Sequence, residues 1–407
     1  MAVKNLHLEH LEDEIINNGI DGGRASINFL QSLRDMMKGN SSRGVNMTVK
    51  WDGAPAIWAG KHPEDGRFFV AKKSLFNKTP LFYTSESEIK NASELSGTLK
   101  DKFLEAYKHF SKLSWGDKIL QGDLMFTSGD KSNEKIGNLS YITFQPNTIK
   151  YAALEGSPLA KAIDNADIGV VWHTTYTGTT IADLSASFGV DISTLGHSNS
   201  IWMDDASYKD VSGRATFTQK ETDAVTKILS NTGKTFQRIN APLLRQFLNL
   251  QNSMTGVLSG ASLKTYNNSK VRAGEIIKNP KQHAAGYVKW VENSIQKQID
   301  KVKSDKGKEK YTNMQKEYVR DFKKHVNNLT QIITFQNLLV DAKMQIVKKL
   351  NSVKGLTDTF IRTDNGYKVT NPEGYVAIDR VGGKAVKLVD RMEFSFNNFT
   401  AIKAWDK

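Results

Sequence analysis

The sequence predicts an α+β protein in which a large helical insertion interrupts a sheet-rich domain. Three observations carry this expectation. Strand-like stretches, alternating or in short apolar runs, occupy residues 46–175 and return at 366–394. Between them, over 216–353, apolar residues recur at helical spacing, as in Tyr287, Val291, Ile295 and Ile299. At 407 residues the chain is long for one compact core. The simplest organisation has N-terminal helices over 1–40 and a sheet domain over 41–215 and 354–407. A helical insertion over 216–353 returns both its ends to that domain.

The elements follow in order. In 1–38, Leu6, Leu8, Leu11, Ile15 and Ile16, then Ile27, Leu30, Leu33 and Met36–Met37, recur at helical spacing, and Gly19 with Gly22–Gly23 divides them into two helices. Asn46-Met47-Thr48-Val49-Lys50-Trp51 alternates as a strand. Residues 56–59 and 68–71 read as two more strands, joined by a turn through Pro63-Glu64-Asp65-Gly66. A helix is expected over 95–111, and strands over 118–126 and 168–175. Four to six helices fill 216–353, and strands return at 366–369, 375–379 and 385–394.

Composition narrows the chemistry. The chain has no cysteine, which excludes disulfides, thiol catalysis and cysteine-ligated zinc or iron–sulfur centres. No apolar run of about 18 residues occurs, so no membrane-spanning helix is expected. The acidic, amphipathic start lacks the basic and apolar regions of a signal peptide, and a cytoplasmic location fits. The net charge is +13, which suits a polyanionic partner. Most of the excess lies in 264–349, with 19 Lys/Arg against 8 Asp/Glu. Such a stretch is either a solvated helical face or a nucleic-acid surface. The interleaved Tyr266, Tyr287, Trp290, Tyr311 and Tyr318 favour the second, because lysines neutralise phosphates while aromatic rings stack on bases.

The sharpest motif is Lys50-Trp51-Asp52-Gly53, just after a strand. A lysine amine is a good nucleophile only when deprotonated, which burial or neighbouring cations promote. Read alone, Lys50 is equally a surface lysine beside a turn. An ordered set follows it: Lys72-Lys73-Ser74, then Leu120-Gln121-Gly122-Asp123-Leu124-Met125, then Ile168-Gly169-Val170-Val171-Trp172. After the helical stretch come Pro372-Glu373-Gly374-Tyr375-Val376 and Ala385-Val386-Lys387-Leu388-Val389. There is no GxxxxGK[ST] phosphate loop, G-x-S-x-G elbow or HExxH pair.

This order resembles the covalent nucleotidyltransferase superfamily of polynucleotide ligases and mRNA capping enzymes, over about 47–396 without the insertion. The stretches at 50–57 and 144–149 also resemble a family of uncharacterised tailed-phage proteins, for which the location becomes the host cytoplasm. The superfamily resemblance implies an ATP-grasp-like ligase fold of antiparallel sheets. It implies that Lys50 takes AMP from ATP, with Asp52 supporting the ribose or metal and Gly53 admitting the nucleotide closely. Lys73 (or Lys72, since only one can face the cleft) then reaches a phosphate. Asp123 stands where ligases usually carry glutamate, touching the ribose or the metal. Trp172 either stacks on adenine or belongs to the core, and His173 has no assigned role. Glu373 coordinates the metal, Gly374 makes the tight approach, and Lys387 neutralises the α-phosphate. The superfamily often has two lysines in this last motif; here Ala385 and Val389 stand at that spacing, leaving Arg391 or Lys384 as substitutes.

The cofactors implied are ATP and Mg2+, with Mn2+ an alternative. DNA ligases typically carry arginine where Pro55 stands, and the twenty residues after Lys387 are too few for an OB-fold domain. Both features point to the RNA-ligase branch, with RNA the favoured partner and DNA the alternative, gripped by the basic helices of 264–349. Two other readings are a catalytically degenerate ligase fold that binds nucleic acid or a phage protein, and transfer of AMP to a protein or small molecule.

Overall fold

In the computed structural model of this chain, the described residues are 9–38, 45–207, 216–352, 358–363, 366–369, 374–379 and 385–395. Helix α1 (Glu14–Met37) buries Ile15, Ile27, Leu30 and Leu33, the apolar series of the sequence. It bends at Gly19, whose φ of +62° is left-handed backbone that glycine adopts without a Cβ clash. Gly22 and Gly23 stay helical, so the expected break is one kink inside a single element.

Strands β1 (Val45–Lys50), β2 (Ala56–Lys61) and β3 (Phe68–Ala71) follow, then helices α2 (Glu86–Asn91) and α3 (Gly97–Phe110). Next come β4 (Ile119–Thr127), β5 (Lys131–Ile136), β6 (Leu139–Phe144) and β7 (Ile149–Leu154). Helix α4 (Pro158–Asn165) leads to β8 (Ile168–Thr177), β9 (Ser185–Phe188) and β10 (Ile201–Asp204). The helical stretch is α5 (Gln219–Gln237), α6 (Ala241–Asn252), α7 (Leu263–Arg272), α8 (Pro280–Lys301) and α9 (Asp305–Asn351). The chain then returns to strands β11 (Asp358–Thr363), β12 (Gly366–Val369), β13 (Gly374–Asp379) and β14 (Ala385–Leu388). The last strand expected from sequence ran to 394; β14 stops at Leu388, and a π-helical turn occupies Arg391–Ser395.

The molecule is α+β, with three sheets among the described residues. Their orders are β1-β13-β14, β10-β8-β4-β2-β3 with β9 beside β8, and β12-β11-β7-β6-β5. Among the described residues, all pairings between strands are antiparallel except β10 with β8, and an isolated parallel bridge joins His10 to Lys387 of β14. The strands after the helices therefore rejoin sheets begun before them: β13 pairs with β1, and β11 with β7. Helix α1 packs on α5, α6 and α9, so it shares one apolar core with the insertion. Tyr375 and Leu388 add one face of the three-stranded sheet to that core. A second core lies between the other two sheets, built on Trp51, Phe126, Phe144, Tyr151 and Trp202. No helix among the described residues is long and apolar enough to cross a membrane.

Candidate active site

Lys50 is the last residue of β1, and its neighbour across the ladder is Gly374. After Lys50 the chain leaves the three-stranded sheet. Trp51 turns inward, buried against Tyr151 and Trp202 with ring centroids 5.0 and 6.0 Å away. Asp52 follows, also buried. Its carboxylate accepts from Asn147 Nδ2 (2.7 Å) and from the backbone N–H groups of Thr148 (2.7 Å) and Ile149 (2.9 Å). Its own N–H donates to the Tyr151 hydroxyl at 2.6 Å. The stretches 50–57 and 144–149 are thus bolted to each other. A carboxylate so engaged is a structural clamp, which replaces the expected ribose or metal role for Asp52.

Gly53 is needed for the chain's own packing. A Cβ there would lie 2.4 Å from Asp123 Cβ and 2.9 Å from Met125 Sδ. The expectation that its missing side chain admits a nucleotide is therefore corrected: it admits β4. Backbone bonds from Ala54 N–H to Leu124 O and from Leu124 N–H to Pro55 O, both 3.0 Å, fix this contact.

A cleft of about 80 Å³ results, lined by Lys50, Thr48, Asp123, Val171, His173 and Val376 among others. Asp123 is half-buried, at 23% side-chain exposure, and its Oδ2 lies 3.7 Å from His173 Nε2. His173 is the odd residue of a β-bulge. Gln121 pairs with Thr174 and Gly122 with Trp172, so no β4 residue pairs with His173. Bulges re-aim side chains in this way, and here the imidazole enters the cleft. Its Nδ1 lies 2.8 Å from Thr174 Oγ1. Burial first, and then the Lys50 charge, push the His173 pKa down to about 4, so the ring is neutral at physiological pH.

Trp172 points the opposite way. It is fully buried beneath α3, against Phe110 at 5.4 Å and Trp115 at 5.6 Å. The adenine-stacking role is overturned for it: strand alternation sends Val171 and His173 to the cleft and Trp172 to the core.

The other expected residues distribute as follows. Lys73 is exposed and opens the 3-10 turn Lys73–Phe76. It lies two residues past Ala71, which pairs with Trp58, while Ala56 pairs with Asp123. Lys73 thus leaves the sheet at the level of Asp123. Lys72 instead donates to Glu94 O at 3.1 Å. Lys387 pairs with Val376, which pairs with Thr48. It therefore shares the Lys50 face of the three-stranded sheet, although it does not line the cleft itself. Gly374 has a φ of +148°, and a Cβ there would sit 2.8 Å from Leu388 O, so glycine is required. Glu373, with Lys384, lies outside the described residues. Arg391 is engaged elsewhere, bonded to Asp13 and Asn268, and does not substitute for the missing motif lysine.

Residues 5–403 match the model of a protein family described as a family of unknown function (DUF6267). The chain belongs to that family. No curated protein and no solved structure matches it.

The aromatics of the basic stretch serve the helical core. Tyr266 and Tyr287 are buried, and Trp290, Tyr311 and Tyr318 pack against the same cluster. The Tyr287 hydroxyl donates to Ala261 O at 3.1 Å and accepts from Gln251 Nε2. The expected interleaved stacking platform is therefore absent for these rings, and the lysines of the stretch remain.

Among the described residues no group of three or more His, Asp or Glu converges as a metal site. Among the described residues Asp123 is the one carboxylate lining the cleft. Mg2+ is commonly held by one or two carboxylates with substrate phosphates completing its shell, so Asp123 fits such an ion. His173 is the cleft residue that sequence reasoning passed over; a bulge has no local sequence signal, and the histidine lies in an ordinary strand run.

Proposed function

We propose that this chain is an ATP-dependent polynucleotide ligase of the nucleotidyltransferase type, acting through a lysyl-AMP intermediate on Lys50 and preferring RNA to DNA. The observation that carries the reading is the pairing of Lys50 with Gly374, beside a cleft that also holds Asp123. Three motifs far apart in sequence meet at one strand end, and a nucleophile held on a rigid strand is pre-positioned for attack.

Lys50 Nζ, having given a proton to solvent, attacks the α-phosphorus of ATP. A P–N bond forms, the bond to the bridging oxygen breaks, pyrophosphate leaves, and Nζ gives up one further proton. A terminal 5′-phosphate oxygen next attacks the same phosphorus, and the P–N bond breaks as Nζ takes its proton back and keeps the electron pair. A 3′-hydroxyl then loses its proton, attacks the 5′-phosphorus and expels AMP. Lys73 and Lys387 supply positive charge near the phosphates. Asp123 and Glu373 would hold Mg2+, which supplies charge neutralisation at the phosphate oxygens.

The test is incubation with ATP labelled at the α-phosphate and with Mg2+ or Mn2+. Wild-type protein should take an acid-labile covalent label, and Lys50→Ala should lose it. Chasing the labelled protein with nicked RNA, nicked DNA and tRNA should move the label preferentially to RNA. Label that persists in Lys50→Ala sinks the assignment.

A second reading, a ligase-like protein that binds nucleic acid without catalysis, is favoured by Asp52 being spent on its own chain and by the burial of Trp172. Absence of label together with retained nucleic-acid binding would select it.

A further inference from the structure

Most lysines that pair with carboxylates in the helical body lie near its base, and Lys324 pairs with Asp321 where the α8–α9 hairpin end begins. Lys343 meets Glu12, Lys349 meets Glu221, Lys264 meets Glu9, and Lys270 meets Glu275. The far end of the α8–α9 pair is different. Ile295 is buried in α8 and Phe322 in α9, and no residue between them is buried. Gln315 Nε2 donates to Glu292 O at 3.0 Å and to Gln296 Oε1 at 3.1 Å, which locks the two helices side by side. Asp305 to Asp321 is five turns of helix, about 25 Å at 1.5 Å per residue, with no buried side chain. The hairpin end is therefore the margin of the helical core: its apolar side chains, Ile299, Tyr311, Met314, Tyr318 and Val319, pack against that core half-buried, and its remaining surface faces outward.

This end carries Lys297, Lys301, Lys303, Lys306, Lys308 and Lys310, all exposed. Asp300, Asp305 and Glu309 are the acids of the same segment. None of the six lysines forms an ion pair within the described residues. Like charges crowded on one helix turn repel each other, and an external polyanion relieves that repulsion. The hairpin end has no exposed aromatic ring: Tyr311 and Tyr318 are half-buried against the core, and the Tyr318 hydroxyl meets Ser253 Oγ at 3.2 Å. Binders of single strands combine basic charge with rings on which bases stack. Lysines without rings contact phosphates and leave the bases alone.

We propose that the end of the α8–α9 hairpin binds the phosphate backbone of a nucleic-acid duplex without reading its sequence. The proposal rests on the reading of this protein as a ligase, and it narrows the substrate to two ends held side by side on a continuous complementary strand.

The experiment measures binding of full-length protein to a fluorescent nicked duplex, and to its single strand, across a range of salt concentrations. The comparison is with the triple variant Lys301→Gln/Lys303→Gln/Lys306→Gln, whose exposed sites leave the core untouched. Wild type should prefer the duplex. The variant should bind it at least about tenfold more weakly, and its log K against log salt should be shallower by up to about 2.7, or about 0.9 per lost phosphate contact on B-form DNA. Equal affinity and slope in the variant, or tighter binding of the single strand by wild type, overturns the proposal. Labelling of Lys50 by ATP needs no nucleic acid, so it is read separately on wild type. A wild type that takes no label, with duplex binding lost in the variant, removes the ligase reading and leaves the hairpin end as a duplex-binding surface.

Discussion

Asp52 accepts three hydrogen bonds, and every donor belongs to this chain. Asp52→Ala strands two backbone N–H groups and an amide in a buried place, so it should cost about 3 kcal/mol, since bonds to a charged group contribute about 1.5–3 kcal/mol each and partial relaxation recovers some of the sum. Chemical denaturation measures this. A variant as stable as wild type would remove the clamp assignment. At this scale the motif spelling identified Lys50 and Asp123 as cleft residues, because each lies at the end or on one face of a strand with a readable alternation. Trp172 was not readable, since 168–172 is apolar on both faces and its phase is set by a bulge one residue later. His173 was lost for the same reason.

The joint between helices and strands is built from buried charge. Glu12, in the turn ahead of α1, receives two bonds of 2.9 Å from Lys343 of α9. Arg391, beyond β14, reaches Asp13 at 3.2 Å. Burial pushes the Glu12 carboxyl up, but the charges of Lys343, His10 and Arg391 outweigh it and hold its pKa at about 2. Three segments far apart in sequence thus converge on one ionic cluster. Lys343→Met leaves Glu12 buried without its main partner and should cost about 3–5 kcal/mol, whereas Glu12→Leu/Lys343→Met should regain most of the loss, since an apolar pair of similar volume is often neutral. Thermal unfolding of the two single variants and the double variant gives the coupling; additive losses would mean that the pair is not coupled. Periodicity made β1, α3, β4 and β8 legible, whereas the short strands β5, β6, β7, β9, β10 and β11 and the short helices α2 and α4 were not read from it. This seam was not legible either, because a glutamate ahead of one helix and a lysine within another carry no mark of their meeting.

Across the whole molecule, the placing of strands on both sides of a helical stretch could be read from sequence, because the flanks have strand periodicity and the middle does not. The response to acid depends instead on buried histidines. Burial lowers His10 well below its ordinary value, with Glu12 partly opposing. It also lowers His283 to about 4, aided by Lys270 while Glu275 opposes. His325 is lowered by burial, which outweighs Asp321. All three belong to the helical core or its seam with the strands. Each folded pKa lies below the unfolded value of about 6.5, so the unfolded chain binds more protons. Their contribution to stability is complete above about pH 6.5 and is lost progressively below it, at up to about 1.4 kcal/mol per pH unit for each group; for His283 the loss runs down to about pH 4. Asp13 works against this trend, because burial raises its pKa and protonation then favours the folded chain. Glu12 stays ionised throughout this window, so the ionic cluster holds while the histidines titrate. The melting temperature should therefore fall from pH 7 to pH 4.5, and His283→Gln should flatten the fall. Self-repulsion of a chain already at +13 would give the same direction. Salt separates the two, since it screens surface repulsion and leaves burial almost unchanged. A fall that vanishes in high salt would assign the acid response to net charge and remove the histidines from it.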